Sequence, residues 1–305
     1  MQGSGGFGRP GSKTGKNPSS GAIVYYYFKT KPKGEVKLEF LDSRGKLVKE
    51  FSSKEEPRDG EQQRESDEES GFRGRGGAQR LPADSGMNRF SWDLRHTDAT
   101  TVPGALLWDG STRGPAAIPG TYLVRLISGT DTLGRFFEVK LDPRVETSQG
   151  DLQEQLDFLL KVRDKLSATD EAINTIRDIK KQTEDVSKRS QTQPSKSAIR
   201  DAVKALNERL SSVEEELIQT KIKSSQDALN YPIKLNNKLA AVASSAASAD
   251  TRPTKQHYDV YNRLATRIDV QLAALKATLA KDVPTFNAFV KERDVPAVIL
   301  KPEEH

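Results

Sequence analysis

Glu35-Val-Lys-Leu-Glu-Phe-Leu41 decides how this chain reads. Apolar and charged residues alternate along it with period two, so Val36, Leu38 and Phe40 share one face of a strand. On its C-terminal side, Asp42-Ser-Arg-Gly45 is a hairpin turn and residues 47–51 form the returning strand. On its N-terminal side, Lys31-Pro-Lys-Gly34 is a turn preceded by Ala22-Ile-Val-Tyr-Tyr-Tyr-Phe28, a run of strand formers. Further along, Asn88-Arg-Phe-Ser-Trp-Asp-Leu94 puts Phe90, Trp92 and Leu94 on one face. Pro119-Gly120 turns the chain, Thr121-Tyr-Leu-Val-Arg-Leu-Ile127 aims Tyr122, Val124 and Leu126 inward, and residues 136–141 close the series after a turn at Thr130-Asp131. About seven short strands with turns between them predict an antiparallel β-sandwich.

At Ser148 the period changes from two to that of a helix. Ser148 or Thr147 can cap, and Asp151 and Glu154 suit a helix N-terminus. Leu152, Leu156, Leu159, Arg163, Leu166, Ile173, Ile176 and Ile179 run along one side. Residues 190–197, with Pro194, make a break. A second stripe holds Ile199, Val203, Leu206, Leu210, Val213, Leu217 and Ile218. A short alanine-rich helix is expected from Pro232 to residue 249, with Pro232 at its first position. A fourth stripe starts at Tyr258 and ends at Leu279, after which Pro284 and Pro296 frame a short separate helix. Stripes of this width with short breaks predict an up-down helical bundle. The fold class is therefore α+β in two domains, a sandwich over 21–142 and a bundle over 148–292.

Three segments fall outside these cores. Residues 1–20 are rich in Gly and Ser and are expected to be a disordered leader. The insertion 53–80 combines an acidic half, with Glu65-Ser-Asp-Glu-Glu69, and a glycine-rich half, Gly71-Phe-Arg-Gly-Arg-Gly-Gly77. It reads as a solvated, disordered loop, with RNA binding by its Arg-Gly portion as the competing reading. Residues 293–305 are expected to form an extended tail.

Composition excludes several classes. The chain has 305 residues, of which 34 % are hydrophobic and 30 % charged, with a mean hydropathy of −0.68. No apolar stretch reaches the ~20 residues of a membrane helix, so no membrane span is expected. Cysteine is absent, which removes disulfides, thiolate zinc sites and a cysteine nucleophile. The three histidines are scattered, so neither a metal site nor a cofactor is expected. A net charge of +5 on a mixed surface does not invite nucleic acid. Gly11-Ser-Lys-Thr-Gly15-Lys16 fails as a phosphate loop, because its spacing is short and no strand precedes it. Residues 1–20 contain no apolar core and so do not read as a signal peptide.

No catalytic residue can be assigned. His96 and His257 have no Ser or Asp around them that reads as a triad, and the many carboxylates cannot be paired from sequence. Contact residues are easier to nominate. Alternation sends Tyr25 and Tyr27 to the face opposite Tyr26, where they meet a partner or a neighbouring domain. Trp108 beside Asp109 can stack a sugar and accept its hydroxyls, or pack at a domain edge with Asp-Gly as a turn. The loop around Arg113 completes the nominated surface.

Four segments carry a resemblance. Gly21-Ala-Ile-Val-Tyr-Tyr-Tyr27, Lys33-Gly-Glu-Val-Lys-Leu-Glu-Phe-Leu-Asp42, Gly86-Met-Asn-Arg-Phe-Ser-Trp-Asp-Leu-Arg95 and Pro119-Gly-Thr-Tyr-Leu-Val-Arg-Leu126 resemble the C-terminal region of bacterial BNR-repeat, sortilin-like β-propeller proteins, often labelled glycosyl hydrolases. The Trp-Asp and Pro-Gly-Thr-Tyr segments are also similar to the FlgD-type Ig-like module. Asn230-Tyr-Pro-Ile-Lys-Leu-Asn-Asn-Lys-Leu239 adds a match in the helical half. The resemblance implies a secreted or envelope-associated protein. It also implies an Ig-like sandwich and a non-catalytic accessory role beside a β-propeller of the same or a neighbouring polypeptide. Carbohydrate is the alternative ligand it implies. The start at Met1 inside a low-complexity stretch suggests a fragment or a split gene, with a stand-alone product as the alternative.

Overall fold

The computed structural model describes residues 21–54, 79–224 and 226–295. The expected leader, most of the insertion including its Arg-Gly portion, and the end of the expected tail lie outside the described residues. Among those described, six strands and four α-helices form an α+β protein with two antiparallel sheets. The strands are β1 (Ala22–Phe28), β2 (Val36–Leu41), β3 (Leu47–Ser52), β4 (Gly86–Trp92), β5 (Gly120–Ser128) and β6 (Asp131–Val139). The helices are α1 (Gln149–Arg189), α2 (Lys196–Leu217), α3 (Leu235–Ala246) and α4 (Lys255–Lys291). The chain divides into two compact units, residues 21–95 with 121–137, and residues 96–120 with 138–295.

The first unit holds both sheets. One contains β1 and β4, and the other runs in the order β3-β2-β5-β6. Val36, Leu38 and Phe40 are fully buried, as their alternation predicts, with Phe40 opposite Val124 and Leu38 opposite Leu126. Phe40 of β2 stacks on Trp92 of β4 with ring centroids 4.3 Å apart. Phe51 meets Phe90 at 4.6 Å, and Tyr122 and Phe137 close around Trp92 at 5.8 and 6.2 Å. Offset and edge contacts of this kind add to the area that the rings bury. The buried indole still has a partner, because Trp92 Nε1 donates to the Arg95 carbonyl at 2.9 Å. The alternation read through Leu94 stops sooner. β4 ends at Trp92, and Leu94 has a φ of 55°, which takes it out of extended geometry.

In the second unit one hydrophobic core runs through all four helices, with Leu166, Ile173, Ile199, Leu210, Leu239 and Ile268 among its buried members. Ser148 caps α1, its side chain accepting from the Asp151 amide at 3.1 Å. Gln155 of α1 donates to the Ala246 and Ala249 carbonyls at 2.8 and 2.6 Å, satisfying acceptors at the end of α3. Glu214 on α2 accepts from Arg177 and Lys180 of α1 at 2.8 and 2.6 Å. Burial raises its pKa, but these two cations outweigh that and hold it below the usual value.

Two expectations about the helices need correction. The third helix begins at Leu235, three residues after Pro232. Pro284 does not end a helix, since α4 continues through it to Lys291. Proline removes the amide that would bond the Ala280 carbonyl. Phe286 is nevertheless buried, and Phe289 and Val290 pack against the same core, so tertiary burial carries the helix across.

Residues 96–120, read from sequence with the strands, make their contacts with helices. Ala99 and Val102 are members of the helical core. Thr100 N donates to Ser167 Oγ, Arg163 Nη1 to the Thr97 carbonyl and Asn174 Nδ2 to the Thr101 carbonyl, at 3.1, 2.7 and 2.9 Å. The segment is pinned along more than two turns of α1.

Candidate functional site

Among the nominated residues, Tyr25 and Tyr27 lie in the sheet unit, and Trp108, Asp109 and Arg113 lie in the helical unit. The outward face of the β1/β4 sheet is made by register. Tyr25 sits opposite Arg89, Tyr27 opposite Met87 and Ile23 opposite Ser91, so all six residues share one face. Tyr25, Tyr27 and Met87 are 62 %, 64 % and 70 % exposed. The inward face is tied down by contrast: the Tyr26 hydroxyl donates to the Pro82 carbonyl at 2.6 Å, and burial pushes that phenol up to about 12. Asn88 closes the turn before β4, donating to the Asp84 carbonyl at 2.8 Å while accepting from the Asp84 amide.

The loop with Trp108 is latched to α3. Ala105 and Leu107 pack on the helical core, while Leu106 and Trp108 alternate outward. Trp108 N donates to Asn237 Oδ1 at 2.9 Å, and Asn237 Nδ2 donates to the Asp109 carbonyl at 2.5 Å. Gly110 then passes so close to α3 that a Cβ there would fall 2.4 Å from the Ala240 carbonyl carbon, and its φ is +88°. Both facts favour glycine. Asp109 Oδ1 accepts from Gly110 N at 2.7 Å, and Arg113 N donates to Ser111 Oγ at 3.1 Å. Trp108 stays 48 % exposed on this latched backbone.

Sequence reasoning did not find Asn236 and Asn237 as latch residues, although two adjacent asparagines in the apolar register of an alanine-rich helix are a legible signal. Both are buried. Asn236 Oδ1 accepts from the Asn237 amide at 2.7 Å, and Asn236 Nδ2 lies 3.4 Å from the buried Asp170 carboxylate. Burial is the main cause that raises Asp170 to about 7, against the opposing pull of Asn236 and Arg177.

Ser245 Oγ lies 3.2 Å from His257 Nε2, a pairing with the outline of a nucleophile and its base. The hydrogen-bond pattern argues otherwise. His257 Nδ1 accepts from the Thr254 amide at 3.1 Å, so a neutral ring carries its proton on Nε2 and donates to Ser245. It has no lone pair left for the serine proton. His257 instead reaches back to cap the start of α4. Another polar cluster, Arg252 with Asp151 at 2.8 Å and Glu154 at 3.1 Å, pairs its carboxylates with one guanidinium and joins the starts of α1 and α4. No group of three or more His, Asp or Glu side chains among the described residues could hold a metal ion. No described helix is long and apolar enough to cross a membrane.

The sheet unit also carries an open cleft of about 790 Å3, whose lining includes Lys31, Lys33, Lys54 and Arg80. Comparison of this chain with family models, curated proteins and solved structures returns no match.

Proposed function

We propose that this chain is a non-catalytic interaction module of an exported, propeller-containing protein. In this reading its two sheets are an Ig-like sandwich of the FlgD type and its helices an up-down bundle that supports assembly. The observation that carries the proposal is the row of exposed Ile23, Tyr25, Tyr27 and Met87 on one sheet face. Apolar and aromatic side chains grouped on a regular surface mark protein contacts more often than they mark idle surface. Tyrosine suits such a contact because it offers large area with few rotatable bonds. The resemblance to the C-terminal region of BNR-repeat proteins supplies the partner class, a β-propeller domain, and the exported location.

The test is calorimetric titration of the chain with a purified BNR-repeat propeller domain encoded in the same genome. Saturable heat is expected, weakened about tenfold or more by Tyr25→Ser with Tyr27→Ser, as for interface tyrosines. No heat with the unaltered chain, or equal affinity in the double variant, removes the reading.

A second reading is carbohydrate binding through Trp108 and Asp109, favoured by a half-exposed indole on a backbone held by Asn237. Titration with a panel of polysaccharides is expected to give heat that Trp108→Ala abolishes. A flat response across the panel removes it.

A further inference from the structure

We infer that the cleft beside the β1–β2 turn is a docking site for an acidic peptide segment of a partner protein. The inference does not depend on the exposed tyrosine face. Lys31 and Lys33 come from the turn between β1 and β2, Lys54 follows β3, and Arg80 precedes β4. All four cations line one opening.

The walls of the cleft are held by backbone bonds. Leu81 N donates to the Ser52 carbonyl at 3.0 Å, and Ser53 N to the Val36 carbonyl at 2.9 Å. Val36 N in turn donates to Ser53 Oγ at 2.8 Å. Arg80 Nε donates to the Ser53 carbonyl at 3.0 Å. Among the described residues two carboxylates also line the cleft, and each has a partner. Asp84 lies 3.4 Å from Lys31 Nζ, and Glu35 Oε1 accepts from the Ser52 hydroxyl at 2.5 Å. Among the described lining residues four cations thus stand against two carboxylates, a balance that suits an anionic ligand.

The rest of the lining narrows the ligand class. Pro32, Pro82 and Ala83 give the cleft apolar surface. Among the described residues no aromatic ring lines it, so these offer no platform on which a base or a sugar ring would stack. An open cleft of about 790 Å3 has room for more than a single inorganic anion. Carboxylates spaced by small or apolar side chains match this arrangement, as in the recognition of acidic motifs by clustered cations.

The test uses fluorescence anisotropy of a fluorescein-labelled synthetic peptide of repeated Glu-Leu-Asp, added to the full chain in about 50 mM NaCl to limit screening. Saturable binding is expected. The double variant Lys33→Glu with Lys54→Glu should weaken it about tenfold or more, the effect of roughly 1.4 kcal/mol, with thermal unfolding unchanged because both side chains are exposed. The milder Lys33→Gln with Lys54→Gln should fall between. Absence of saturable binding overturns the proposal, as does equal affinity in the charge-reversed variant. Tighter binding of labelled oligouridylate than of the peptide would transfer the cleft to nucleic acid and overturn it. Peptide binding that appears only after residues 55–78 are replaced by Gly and Ser would assign the cleft to the chain's own acidic stretch, and also overturns it.

Discussion

Asp170 Oδ1 lies 3.4 Å from Asn236 Nδ2 inside the helical unit, and this contact joins α1 to the helix that latches the Trp108 loop. Burial keeps the carboxyl protonated up to about 7, well above its value in an unfolded chain.

The consequence for stability has a definite sign. The folded state holds a proton that the unfolded state releases near pH 4, so this stabilisation is complete below about pH 4 and is lost as pH rises through 7. The full loss is on the order of 4 kcal/mol, of which about 3 kcal/mol falls between pH 5 and pH 8.5. Urea unfolding at pH 5 and pH 8.5 is expected to show it, and Asp170→Asn should flatten the difference. An unchanged difference in that variant would assign the pH dependence to other groups.

Gly110 and Gly104 form an internal comparison. Both have positive φ, but a Cβ at Gly110 strikes α3 whereas a Cβ at Gly104 meets nothing within 4 Å. Gly104→Ala is expected to cost about 1 kcal/mol, the backbone strain alone. Gly110→Ala should cost about 2–4 kcal/mol, since overpacking is added. Equal denaturation midpoints for the two variants would contradict the close approach.

Glu214 tests the buried pairing. Glu214→Ala leaves Arg177 and Lys180 facing each other without their shared carboxylate. A loss of about 2 kcal/mol in unfolding free energy is expected, below the ~3–5 kcal/mol of a fully buried pair because both cations retain some contact with water. Arg177→Met made together with Glu214→Leu should recover part of it, and no recovery would show that packing, not charge, dominates there.

The two tryptophans report on different units. Trp92 is fully buried and Trp108 half exposed. Trp108→Phe should leave a blue-shifted emission shielded from acrylamide, and Trp92→Phe a red-shifted, quenchable one. Similar quenching in both variants would be incompatible with the aromatic core described around Trp92.

Most strands were legible because their cause is local, although β6 already starts at Asp131, in the expected turn and five residues before the strand read from Phe136. Val36, Leu38 and Phe40 alternate against charged neighbours, and the same alternation set Tyr25 and Tyr27 apart from Tyr26. The helical stripes were legible for the same reason, as was the cap at Ser148. Pro284 misled because a missing amide is visible in sequence, whereas the pocket that receives Phe286 is not. Residues 96–120 carry no periodicity at all. Their attachment depends on Ser167, Asn174 and Asn237, each more than sixty positions away, and no local pattern announces a partner at that distance. The pairing of Ser245 with His257 was hidden likewise by the break between two helices. Among the nominated contact residues, the exposure of Tyr25 and Tyr27 followed from alternation, while the fixing of the Trp108 backbone did not.

The route of the chain through its two units bears on how it is made. Residues 96–120 leave the ribosome before any of the helices that they seal exists. Ala99 and Val102 must therefore wait in water while the sheets form around them in sequence, and are withdrawn from it only when α1 and α3 arrive. A gene cut between residues 142 and 148 would yield a helical piece with an open seam where this strip belongs. Excision of that unit succeeds only if residues 96–120 are supplied with it, for instance by circular permutation.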